Sequence, residues 1–245
     1  MGTAIVITSG KGGTGKTSLT GGIGAALAQQ GCRVLCLDAD VGLRNLDIAL
    51  GMADAALMDF SDVMAGLCPL DRAVAPHPGV EGLYLLTAPL TLPADFAGEE
   101  GFRGLLDQAR QSYDWVLIDA PAGLGLGFRL ATSGADRAIV AATCDPASLR
   151  DAQRVVEELS GLSPVHLVVN RVKGRLLRRM GATIDDAMDA AGLPLLGLVP
   201  EDVQVVLAAN SGRLVSQVTQ KGAAAAYANI ARRIRGESVP LLRIR

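Results

Sequence analysis

The residues Ser9 to Thr17 read SGKGGTGKT, and Gly10 to Thr17 fit the spacing GxxxxGK[ST] between an aliphatic run at 4–8 and a helical pattern at 17–30. This spacing serves phosphate. A polyphosphate is held when the backbone curls until several N–H groups converge on its oxygens, and side chains on Gly12, Gly13 and Gly15 would obstruct that approach. Lys16 then sets a cation near the β and γ phosphates, and Thr17 offers a hydroxyl to magnesium. The N-terminus of the following helix adds its dipole, and Gly10, Thr14 and Ser18 complete the binding set. Lys11 is a second lysine in the loop, and a plain phosphate cradle does not need it.

Magnesium takes oxygen ligands, often through water, and a carboxylate at the end of a neighbouring strand can hold those waters. Asp119 ends the run WVLID just before APAG, which predicts that role; Gly123 and Gly125 behind it let the loop move. Asp38 and Asp40 close RVLCLD in the stretch DADVGLRNLD, and strand alternation puts both on one side of the chain. We expect Asp40 to orient an attacking water and belong to the metal set, Asp38 to support the metal shell, and Asn45 to help fix the water. In-line attack on a phosphate is mainly a positioning problem, so such groups suffice.

The elements that must position these groups follow from periodicity. Short aliphatic runs recur at 4–8, 33–38, 83–86, 115–119, 137–142, 165–170 and 195–199, and between most of them lie helical patterns at 17–30, 101–112, 147–160, 176–191 and 201–210. Strands alternating with helices predict an α/β fold in three layers, a mostly parallel sheet flanked by helices on both faces. Residues 71–98, rich in proline, should hold one strand at 83–86. A last helix should run from near Val218 to Gly236. No linker composition or repeat marks a boundary, so one P-loop domain over 1–245 is expected, with 237–245 a short tail.

Composition narrows the function. The chain of 245 residues has 23 basic and 25 acidic side chains for a net charge of −2, which argues against DNA as a partner of the whole surface. Cys32, Cys36, Cys68 and Cys144 form no CxxC pair and read as reduced thiols. The opening residues lack a secretory pattern and no stretch reaches ~18 apolar residues, so a cytoplasmic location is expected.

The KGGTGKT loop with its extra lysine resembles the deviant Walker A ATPases. More particular are DADVGLRNLDIALGM with MDFSDVMAG, DAPAGLGLGF (119–128), CDPASLRDAQRV (144–155) and LVPEDVQVVLAANSG (198–212), which resemble the MinD family of division-site placement from residue 3 to about 236. The resemblance implies an ATPase that forms a homodimer with ATP and magnesium. It also implies recruitment of a MinC-like inhibitor, stimulation by a MinE-like or other partner, and a peripheral position at the inner face of the cell membrane. In that family Lys11 would reach the partner's nucleotide and meet Asp151 across the dimer. Asn170 would read adenine, with Arg171, Pro200, Glu201 and Asp202 beside the base.

The tail SVPLLRIR departs from the family, which continues into an amphipathic membrane helix. Here Arg232, Arg233, Arg235, Arg243 and Arg245 oppose only Glu237, but Pro240 forbids such a helix, so a weak anionic-membrane contact and a docked or frayed end both remain open. A ParA-like partitioning ATPase is an alternative, carried by the arginines at 232–235 together with Arg171, Lys173, Arg175, Arg178 and Arg179. A flagellar-number regulator is another, but the first strand is expected to start at residue 3, which leaves no counterpart of that family's extra N-terminal segment. The metal-cluster branch would need cysteines in the loop after Asp119, where there are none.

Overall fold

The computed structural model describes residues 1–53, 55, 57–94, 96–180 and 183–244, the side chains of Arg178 and Met180 excepted. Arg178 and Arg245 of the basic set therefore lie outside the described side chains. In chain order the elements are β1 (Thr3–Thr8), α1 (Lys16–Gln29), β2 (Val34–Asp38), α2 (Leu46–Leu50), α3 (Phe60–Met64), α4 (Leu70–Ala73), β3 (Ala75–Pro76), β4 (Leu83–Leu86), α5 (Gly98–Ser112) and β5 (Trp115–Asp119). There follow α6 (Leu126–Thr132), β6 (Arg137–Ala142), α7 (Pro146–Glu158), β7 (Val165–Val172), α8 (Gly174–Met180), α9 (Ile184–Ala191), β8 (Leu195–Pro200), α10 (Val203–Asn210), α11 (Val215–Val218) and α12 (Ala223–Ile234).

The strands form one sheet in the order β3-β4-β2-β5-β1-β6-β7-β8, parallel throughout except for the β3–β4 pair. Strand β1 is central. Along it Ala4 and Val6 enter the core on one face while Ile5 and Ile7 enter the core on the other, which is why its sequence is aliphatic without alternation. The first core is closed by residues of α3, α5, α6, α7 and α9, the second by α1, α10, α11 and α12. The three-layer expectation is met.

Helix α1 carries the phosphate loop and is buried almost all round, because α12 covers it from outside. Two glycines permit this. A Cβ on Gly22 would stand 2.2 Å from the Tyr227 ring of α12, and one on Gly24 would stand 2.4 Å from Cys36 Sγ of β2. Loop position is thereby tied to sheet and outer helix together.

Some boundaries differ from expectation. The pattern at 176–191 is two helices, because Thr183 and Asp186 make a reciprocal capping box that starts a new one. The last helix begins at Ala223, not near Val218, after the separate turn of α11. A second strand, the two-residue β3, pairs antiparallel with β4 inside 71–98. The described part of the tail is docked. Arg233 donates through Nε to Val239 O at 3.1 Å and through Nη1 to Leu196 O at 2.8 Å, while Leu242 and Ile244 pack on the two cores.

Candidate nucleotide-binding site

The loop after β1 and the start of α1 sit at the carboxyl edge of the sheet, where β5 and β6 diverge from β1 on either side. Gly13 and Gly15 have φ of 80° and 86°, left-handed values that favour glycine. A Cβ on Gly10 would meet the Asp151 backbone at 2.5 Å, so the loop's first turn is pressed against α7. At Gly12 and Gly13 a Cβ would meet no protein atom within 4 Å, so the chain itself does not fill the space beside them.

Lys16 is 8% exposed and donates to Ser9 Oγ at 2.9 Å. Burial lowers its pKa, and the charges of Asp119 and Asp40 act against that. Asp119 is 2% exposed and accepts from Thr20 Oγ1 at 3.3 Å, with the Thr17 hydroxyl close enough to favour its charged form. Burial pushes it up to about 7, despite these hydrogen bonds and the nearby lysine; the charge of Asp38 pushes it further. Asp38 faces it from the adjacent strand, the two being register partners of β2 and β5. Burial pushes Asp38 up to about 6, against the N–H groups it accepts.

Asp40 does not continue the strand. Strand β2 ends at Asp38, whose carboxylate takes the N–H groups of Asp40 at 2.9 Å and Leu46 at 3.1 Å and so folds residues 38–46 into a turn. Asp40 is left half-buried, and burial raises its pKa while Lys16 lowers it. Asn45 opens α2 with an exposed side chain that makes no capping bond.

Hard oxygen donors, Thr17 Oγ and two buried carboxylates side by side with a single lysine, suit magnesium in chemistry and in charge. Among the described residues no three His, Cys, Asp or Glu side chains converge to cage a metal. Of the expected set of Thr17, Asp38, Asp40 and Asp119, the structure pairs Asp38 with Asp119 but does not gather all three carboxylates at one point.

Comparison with known proteins decides the family. The CobQ/CobB/MinD/ParA nucleotide binding domain model matches residues 5–215. The septum site-determining protein MinD of Bacillus subtilis (strain 168) is 41% identical over 247 aligned residues, covering 98% of this chain and 92% of that one. Among solved structures, the MinC:MinD cell division protein complex of Aquifex aeolicus superposes with a TM-score of 0.91 at 36% identity, covering 99% of both chains. The septum site-determining protein MinD of Pyrococcus horikoshii OT3, complexed with Mg-ADP, gives 0.82 at 30% identity over 96% of both chains. The chain belongs to the MinD family.

In this MinD-family site two chambers flank the loop. One, of about 450 Å³, lies between Gly15, Ser18, Asn170, Pro200, Asp202 and Val206, so the structure brings the expected base residues together. Sequence reasoning missed Tyr227 of α12, which also lines it. The other, of about 350 Å³, lies between the loop, Thr143–Asp145 and α8.

Lys11 stands at the rim of this second chamber, and within the chain its partner is Asp145 Oδ1 at 2.8 Å rather than Asp151. Asp145 is also the N-cap of α7. Burial alone would raise its pKa, but Lys11, Thr143 and the Ser148 N–H pull it down to about 2. An Asp-Pro pair opening a helix is an N-cap signal in the sequence; its second use by Lys11 is not. Ser9 and Thr20, which hold Lys16 and Asp119, carry no motif signal either. Of the basic set, Arg171 and Lys173 both pair with Glu201, and Arg232 and Arg235 with Glu237, so much of it is engaged internally.

Proposed function

We propose that the protein binds ATP with magnesium in the loop 10–18, hydrolyses it slowly to ADP and phosphate, and forms a homodimer through the bound triphosphate. Dimer formation and hydrolysis then make it a spatial switch in septum placement, with a MinC-like inhibitor as partner and a MinE-like or other protein as stimulator. The observation that carries this reading is the opposite placement of two lysines in one loop. Lys16 is turned inward among carboxylates, whereas Lys11 stands outside it, 36% exposed in a pair with a 48% exposed Asp145. Exposed pairs of this kind contribute about 0–1 kcal/mol, so Lys11 leaves Asp145 at little cost to reach a second copy's phosphates.

The residues divide the work. Lys16 and the loop N–H groups bind the phosphates, with Gly10, Gly12, Gly13, Thr14, Gly15 and Ser18 shaping the cradle. Thr17, Asp38 and Asp119 would hold magnesium, which neutralises charge developing on the phosphate oxygens. Asp40, half-exposed beside Lys16, orients the attacking water with Asn45. Asp151 is the residue we assign to Lys11 across the dimer.

Light scattering tests the reading. An Asp40→Ala protein should double its mass when ATP and magnesium are added, and a further Lys11→Ala change should keep it monomeric. Unchanged mass in Asp40→Ala would refute the dimer.

A weak peripheral contact with anionic membrane is part of the proposal. No helix among the described residues is long and apolar enough to cross a membrane. Leu241, 46% exposed between Arg235 and Arg243, is the group we assign to the bilayer surface. ATP-dependent pelleting with phosphatidylglycerol liposomes should fall in Leu241→Glu; equal pelleting of both proteins would remove this part.

A further inference from the structure

A loop can aim its N–H groups at a ligand only if its carbonyls find partners on the other side. Asn170 Nδ2 donates to Thr14 O at 2.7 Å, and Arg171 Nη1 donates to Gly13 O at 3.1 Å. Two consecutive residues of β7 therefore take two consecutive carbonyls of the phosphate loop. We propose that Asn170 and Arg171 form a brace for the loop, and that Arg171 is a positioning residue for phosphate binding rather than a reader of the base.

The backbone is arranged for this. Arg171 adopts φ of 55°, a left-handed value that costs a non-glycine residue about 1 kcal/mol. Asn170 Oδ1 accepts the Arg171 N–H at 2.9 Å and so holds that turn while its own Nδ2 points to the loop. The two bonds also fix which way the amide faces. Asn170 is 3% exposed, and a Cβ on Gly15 would stand 2.4 Å from its Nδ2, so the loop lies directly on it.

The other end of the brace is anchored. Arg171 Nη2 meets Glu201 Oε1 at 2.9 Å, Lys173 Nζ meets Glu201 Oε2 at 2.7 Å, and the Glu201 N–H donates to Val172 O at 3.1 Å. Arg171 thus connects the loop to the ends of β7 and β8. Its guanidinium has a fork of donors for two acceptors at once, which a lysine lacks.

The inference rests on the loop being the phosphate cradle, and the test separates the two. Calorimetric titration of the whole chain in magnesium buffer uses ADP, GDP and inorganic tripolyphosphate as probes. Arg171→Ala should weaken all three by a common factor of about ten, the loss of one charge-assisted hydrogen bond. Lys173→Ala removes a like charge from the same Glu201 without touching the loop, and should leave all three within about twofold. Loss confined to ADP, with tripolyphosphate unchanged, would make Arg171 a base reader and overturn the brace. Equal losses in both variants would reduce it to local charge, and no loss in either would also overturn it. If the parent chain bound none of the three, the phosphate cradle itself would fall and the brace with it.

Discussion

Lys16→Ala should reduce ATP and ADP binding by at least about 100-fold and abolish ATP-driven dimerisation. The side chain is the buried cation of a site that otherwise holds Asp119, Asp38 and Asp40. Removing one partner from a buried charge cluster costs roughly 3–5 kcal/mol, and phosphate adds further negative charge to the same space. Lys16→Arg should fail as well, because the larger planar group does not fit where Nζ donates to Ser9 at 2.9 Å. Equilibrium dialysis with labelled ADP reads the effect. Affinity within tenfold of the parent would mean that the loop N–H groups bind phosphate unaided.

Asp119→Asn should move stability and activity in opposite directions. Because its folded pKa is raised to about 7, above the unfolded value, Asp119 favours folding at low pH and loses that contribution as pH climbs through about 7. At pH 8 the metal-free protein carries the charge at a cost on the order of 4 kcal/mol, which asparagine removes. The variant should therefore resist urea better than the parent at pH 8 and equally at pH 4. His77 and His166 have lowered pKa values from burial and act with the opposite slope, but they are common to variant and parent and cancel in the difference, which reports Asp119 together with its coupled neighbours Asp38 and Lys16. Magnesium-dependent hydrolysis should meanwhile fall by about 10- to 100-fold. A variant less stable than the parent at pH 8 would show that the carboxylate is already compensated in the empty site.

The contiguous parts of this picture were legible in the sequence. The phosphate loop could be read because its chemistry is carried by neighbours at fixed spacing, and the strands because two-sided burial demands unbroken aliphatic runs. Pairings set by tertiary approach were not. Nothing local announces that Lys11 will meet Asp145, that Ser9 will hold Lys16, or that the Asn170 amide will turn toward Thr14. The strand ends at Asp38, which captures the N–H groups of the turn, so Asp40 comes beside Lys16 through that turn and not through strand alternation. Elements such as β3 and α4 are too short for periodicity, whereas the break at Thr183 did have a signal, the TIDD capping box.

Cys36 gives the molecule a built-in chemical gauge. Its sulfur is wedged under Gly24 of α1, fully enclosed, and burial drives its pKa upward; the other three cysteines are half-buried. A thiol reagent reaches Cys36 only when α1 lifts from the sheet, an opening that any ligand gripping the start of α1 must suppress. The slow phase of labelling thus clocks how firmly the helix is clamped, with no dye or tag attached.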